Sequence, residues 1–181
     1  MFLIDHTGYD FMSGVRVLML SGRHKDNADK KRSIMRVSYD EEDYVKQRDS
    51  LISQAQPKER LYSSASIRDM SKAIRLFKER QLAADYDLAP EHFYMGLEAR
   101  WISCLMAVTS EARPKAWLWD CDTDEERATV QSYLSSKDIC PYEYQTKNGT
   151  HFITKPFNRE DISADVKACL KTNALMLVGY S

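Results

Sequence analysis

The chain has 181 residues, 43% of them hydrophobic and 29% charged, with 10 Tyr and only 6 Gly; this is the composition of one folded domain and excludes a disordered chain. Lys plus Arg (26) nearly balances Asp plus Glu (27), so there is no global basic field, and any contact with nucleic acid would have to rest on a local patch. No segment approaches the ~18 uninterrupted apolar residues of a membrane span, and the start Met1-Phe2-Leu3-Ile4-Asp5 lacks the basic flank of a signal peptide, so the expectation is a cytoplasmic protein with no membrane partner.

Residues 15–22 and 33–39 read as two strands of a long hairpin joined by the basic loop 23–31. From Asp40 an acidic first turn followed by Tyr44, Val45, Leu51 and Ile52 predicts a helix that ends before Pro57. Residues 60–65 form a short strand. Ser66 and Asp69 then resemble a capping pair for a helix to about Leu82, with Ile67, Met70, Ile74 and Phe77 as its apolar stripe. The opposite face carries Arg68, Lys72 and Arg75, a candidate nucleic-acid clamp for which a solvated helix flank is the plain alternative. Phe93, Leu97, Trp101, Leu105 and Val108 recur at helical spacing and predict the main core helix.

The second half alternates more clearly. Residues 116–121 are a strand; Thr123 and Glu126 make a capping box for a helix whose apolar face includes Val130, Tyr133 and Leu134. Residues 143–154 are a hairpin turned at Asn148-Gly149. Asn158 and Asp161 cap a helix carrying Ile162, Val166, Cys169 and Leu170, and residues 174–180 close the chain as a strand. The expected fold is α+β, a single domain over 1–181 with a mixed or mainly antiparallel sheet and flanking helices. Residues 115–180 hold the chemistry-bearing unit of strand, helix, hairpin, helix and strand. Cys104, Cys121, Cys140 and Cys169 form no Cys-x-x-Cys and read as ordinary thiols.

Trp117-Leu-Trp-Asp-Cys-Asp122 is an apolar strand that ends in two carboxylates. Residues two apart on a strand project together, so Asp120 and Asp122 form a pair able to hold Mg²⁺ or Mn²⁺ against a phosphate. Asp124 and Glu125 follow, which leaves acidity favoured by the helix dipole as the alternative. With Asn148 and Gly149 as a two-residue loop, Thr146 faces His151, Lys147 faces Thr150 and Tyr144 faces Ile153. His151, Thr146, Thr150, Lys147 and the Gly149 amide at one turn would suit a phosphate group. No Gly-rich phosphate loop and no Gly-x-Ser-x-Gly elbow is present. The Asp-x-Asp pair does not fit the haloacid dehalogenase motif either, because position 124 is Asp where that motif needs Thr.

Asp120-x-Asp122 followed by Gly149-Thr-His151 on a later strand resembles the first two motifs of the archaeo-eukaryotic primase superfamily, which includes primase-polymerases and the polymerase domain of bacterial ligase D. The run from Thr146 to Asn158 is also similar to a recurrent segment of small phage proteins. The resemblance implies a primase-polymerase-like fold in which Asp120 and Asp122 bind catalytic Mg²⁺ or Mn²⁺ and His151 contacts the triphosphate of an incoming nucleotide. It implies nucleic acid and nucleoside triphosphate as partners, in the host cytoplasm if the protein is viral. The family places a third metal-binding acid on a later strand; here the segment 173–181 has no Asp or Glu, and Asn173 takes that position as a candidate neutral metal ligand. A metal-dependent nucleotidyltransferase and a non-catalytic relative that binds nucleic acid, a nucleotide or a host protein are therefore both open.

Overall fold

The computed structural model describes residues 1–10, 12–22, 32–87, 96–110, 115–158 and 162–181, with the side chains of 84–87 left aside. The elements are β1 (Phe2–Leu3), β2 (Arg16–Gly22), β3 (Ser33–Ser38), α1 (Glu41–Ser53), β4 (Glu59–Ser64), α2 (Met70–Asp87), α3 (Leu97–Ala107), β5 (Trp117–Cys121), α4 (Asp124–Ser136), β6 (Tyr142–Gln145), β7 (Thr150–Thr154), α5 (Ala164–Cys169), β8 (Leu170–Lys171) and β9 (Leu175–Tyr180). The fold is α+β. Its strands form one sheet of order β1-β9-β4-β2-β3 and another of order β6-β7-β5-β8, with every described pairing antiparallel.

Strand alternation decides what each face buries. In β5 the side chains of Trp117, Trp119 and Cys121 join Phe152 of β7 in a core completed by Val130 and Leu134 of α4 and by Val166 and Cys169 of α5. Each large apolar side chain so buried contributes roughly 1.5–3 kcal/mol, so this face fixes the register of the strand. The indole N–H of Trp119 donates to the Thr154 hydroxyl at 3.0 Å, which removes the cost of burying it. Leu118, Tyr144 and Ile153 lie on the other face and meet Met176 of β9 and Ala65, which follows β4. Asp120 follows Leu118 by two positions, so it is directed to the side where the two sheets approach.

The first sheet packs Leu18, Leu20, Leu61 and Val178 on Tyr44 and Leu51 of α1, while Val17 meets Ala73 of α2 and Ile102 and Leu105 of α3. Helix α1 begins where the acidic turn predicted: the Asp40 side chain accepts from the Asp43 N–H. Helix α4 has the expected Thr123–Glu126 capping box.

Four expectations need correction. Helix α2 starts at Met70, capped by Asp69, whose carboxylate accepts from the Lys72 N–H at 3.0 Å. Ser66 caps nothing; its hydroxyl accepts from the Ala116 N–H and donates to the Ala116 carbonyl, tying the end of β4 to the start of β5. Consequently Ala73 is buried, whereas Ile74 is 41% exposed. Helix α5 begins after Ser163 rather than at an Asn158 cap, and Asp161 lies outside the described residues, as does Phe93. Leu170 leaves the helix for β8, whose two residues pair with Leu118 and Trp119. The fourth correction is the register of the β6–β7 hairpin, which shapes the site.

Candidate functional site

The hairpin pairs Tyr144 with His151 and Gln145 with Thr150, and the Thr146 N–H donates to the Gly149 carbonyl at 2.8 Å. Its two loop residues are thus Lys147 and Asn148, not Asn148 and Gly149. Gly149 is needed for a different reason than a turn. Its φ is not positive, and a Cβ there would lie 2.1 Å from the Cys121 carbonyl oxygen and 3.1 Å from the Asp122 Cα. The glycine lets the tip of the hairpin press against the exit of β5. The slip is two residues, which preserves side-chain faces where a slip of one would invert them. His151 still shares its face with Thr146, but its direct neighbour is Tyr144.

Between the two sheets lies a cleft of about 990 Å³ whose walls include Asp120, Asp122, His151, Thr146, Lys147 and Asn173. Most of the candidate residues therefore meet in one place. Across β5 and β7, Asp120 pairs with His151, and their side chains touch: Nε2 of His151 stands 2.7 Å from Oδ1 of Asp120. Tyr144 reaches Nδ1 of the same ring at 2.7 Å. A carboxylate only accepts, so Nε2 carries a proton, and in the neutral ring Nδ1 accepts from the Tyr144 hydroxyl. Burial of Tyr144 pushes its pKa up, which keeps that hydroxyl protonated. A buried phenol thereby orients the imidazole, and the imidazole orients the carboxylate.

A second histidine has the same arrangement. Nε2 of His6 donates to the Leu177 carbonyl at 3.0 Å, and its Nδ1 faces the Tyr142 hydroxyl at 3.4 Å. The His6 ring meets Tyr144 edge-on, with centroids 4.7 Å apart. Burial holds the His6 pKa below its ordinary value, against the raising effect of the Leu177 bond. His6 thus belongs to the packing behind the site.

Several candidates are not placed as expected. Thr150 is buried on the opposite face of β7, where its hydroxyl donates to Gln145 Oε1 at 3.0 Å; alternation forces this once His151 points to the cleft. The Gly149 N–H, expected to meet a phosphate, donates to Thr146 Oγ1 at 3.1 Å, and the Thr146 hydroxyl returns a bond to the Gly149 carbonyl. Thr146 stabilises the turn. Arg68 is 2% exposed and is no part of a surface clamp: it precedes α2, and its Nη1 donates to the Met106 carbonyl at 3.2 Å and to Asn173 Oδ1 at 2.6 Å. Burial pushes its pKa down to about 10. The Asn173 amide also donates to the Met106 carbonyl at 2.8 Å, so the oxygen proposed for a metal is turned to a guanidinium. Lys72 and Arg75 do lie on α2, half-buried and exposed respectively.

Among the described residues no group of three or more His, Cys, Asp and Glu could hold a metal ion, and no helix is long and apolar enough to cross a membrane. Sequence reasoning missed Tyr144, although the alternation of Tyr142 and Tyr144 put it on the face of His151. It also missed Arg60 and Lys171, which line the cleft from β4 and β8. Nothing in their local pattern pointed there, because a cleft between sheets is a long-range feature. Compared with protein-family models, curated proteins and solved structures, the chain matches none.

Proposed function

We propose that the cleft between the sheets binds a nucleoside triphosphate with one divalent cation, as part of a primase-polymerase-like nucleotidyltransferase domain that acts on nucleic acid in the cytoplasm. The observation that carries this reading is the meeting of Asp120, Asp122, His151 and Lys147 in one cavity. Two carboxylates with water and phosphate oxygens satisfy the coordination habits of Mg²⁺ or Mn²⁺. The donor set fits one ion; Asn173, bonded to Arg68, does not extend it to two. An ion held by Asp120 and Asp122 would neutralise phosphate charge.

The chain's own groups supply the rest. Lys147 at the hairpin tip, Arg60 and Lys171 line the same walls, and their charges would balance those of a polyphosphate. His151, held by Tyr144, presents an N–H whose present acceptor is Asp120; a phosphate oxygen entering the cleft would compete for that proton. Catalysis on this reading comes from positioning a 3′-hydroxyl and the α-phosphate, without a covalent protein intermediate.

The bond between Arg68 and Asn173 favours a second reading, in which a non-catalytic relative binds nucleotide without transferring it. The two are separated by Mn²⁺-dependent extension and priming on single-stranded templates. The first reading expects product from the wild type and none from Asp120→Ala plus Asp122→Ala; product undiminished in the double variant would sink the metal assignment. Triphosphate binding with no product under any template would leave the second reading standing in place of the first.

A further inference from the structure

The other end of the β5–β7 pair holds a second cavity, of about 600 Å³, within the range of roughly 300–1,000 Å³ typical for small organic ligands. Tyr9 and Tyr142 line it as a stacked pair, centroids 5.1 Å apart and planes 21° from parallel, and Phe157 adds a third ring. Two exposed lysines, Lys115 and Lys155, stand at its rim. Trp117 pairs with Thr154, so both lysines leave the same end of one strand pair, where like charges repel unless an anion stands between them. Arg16 is also in the wall, buried and donating to the carbonyls of Asp10, Ser13, Ser64 and Ala65. Asp10 is the single carboxylate among the described lining residues, against these three cations. The local field is therefore positive over an aromatic floor, the combination that suits a flat ring carrying negative charge.

We propose that this cavity is a second ligand site, separate from the cleft, which takes a planar aromatic anion with its ring against Tyr9 and Tyr142 and its acidic group at Lys115 and Lys155. The proposal does not rest on the reading of the cleft. Adenosine monophosphate is a suitable probe because it joins a flat base to a phosphate. Cys140 lines the cavity and is exposed, whereas Cys104, Cys121 and Cys169 are buried, so its alkylation by iodoacetamide, read by peptide mass spectrometry, reports occupancy. Slow alkylation of the three buried thiols reports in the same experiment that each variant is folded.

The nucleotide should slow alkylation of Cys140 about fivefold when roughly four-fifths of the sites are filled. Adenosine alone and inorganic phosphate alone should protect far less. Lys115→Glu with Lys155→Glu, both at exposed positions, should abolish the protection, and Asp120→Ala with Asp122→Ala should leave it intact. The proposal is overturned if millimolar nucleotide leaves the rate unchanged, if protection survives reversal of both lysines, or if it disappears with the cleft carboxylates. Protection by an alkyl carboxylate but not by the nucleotide would overturn the aromatic assignment.

Discussion

The two walls of the cleft use polar residues in opposite ways. On the β5–β7 wall, Asp120 and His151 bond to each other yet remain reachable, at 38% and 12% side-chain exposure, and Tyr144 behind them sets the orientation of the ring. On the wall formed before β9, Asn173 bonds to the buried Arg68 and to the Met106 carbonyl. The first wall directs its hydrogen-bonding groups toward whatever enters; the second spends its own on holding segments together. A polar residue at the right place in a motif is thus not by itself a ligand, since its partners decide.

The largest test of this contrast is Arg68→Ala. It deletes a fully buried side chain and bonds from a charged donor, and should destabilise the fold by about 2–4 kcal/mol in urea unfolding. Arg68→Met separates the two effects. Two of the guanidinium nitrogens, Nε and Nη2, are buried and have no hydrogen-bond partner among the described residues, so an apolar chain of similar length should recover most of the loss. An Arg68→Ala variant as stable as the wild type would show that the second wall is not structural.

Next in size is Gly149→Ala. The added Cβ meets backbone, not a flexible side chain, so the hairpin tip must move away from β5 at a cost of roughly 1–3 kcal/mol. The same movement displaces Lys147 and should weaken anything held in the cleft. Unchanged stability together with unchanged ligand affinity would contradict the close approach of tip and strand.

Tyr144→Phe probes the first wall alone. It removes one hydroxyl and should cost about 1 kcal/mol, while ¹⁵N NMR of the His151 ring should show Nδ1 losing its hydrogen-bond donor and the Nε2–H tautomer becoming less dominant. An unaltered ring spectrum would mean that the phenol does not orient the imidazole.

The smallest effect concerns pH. His6 has its pKa lowered by burial from 6.5, so between its folded value and 6.5 the unfolded chain binds more protons than the folded one. The contribution of neutral His6 is present above 6.5 and is lost as pH falls below it. Stability measured by urea unfolding should therefore decline on acidification through that window, less steeply in His6→Gln. Equal slopes in the two proteins would remove His6 from the account.

Much of the fold is legible in the chain, and the failures have physical causes. The α4 capping box and the acidic start of α1 are local chemistry, and both stand where the residues place them. That His151 shares a face with Thr146 follows from local signals, because strand parity survives a two-residue error in hairpin register; its pairing with Asp120 across β5 and β7 is a contact between strands distant in the chain, which no local pattern records. Gly149 misled the register because Asn-Gly is a turn signal, yet its smallness is used against Cys121, a contact between strands that no local pattern records. β1 and β8 have two residues each, too few to leave a period. Arg68 read as a surface charge because it sits in register with Lys72 and Arg75 on a helix that in fact begins two residues later.

Whether the cleft holds a nucleotide through a metal ion is decided by calorimetric titration of a non-hydrolysable nucleoside triphosphate with and without Mn²⁺. Binding should strengthen when Mn²⁺ is present, with that enhancement lost in Asp120→Ala plus Asp122→Ala and overall affinity reduced in Lys147→Ala. Affinity that is indifferent to Mn²⁺ in the wild type, or an enhancement that survives removal of both carboxylates, would contradict binding through the metal.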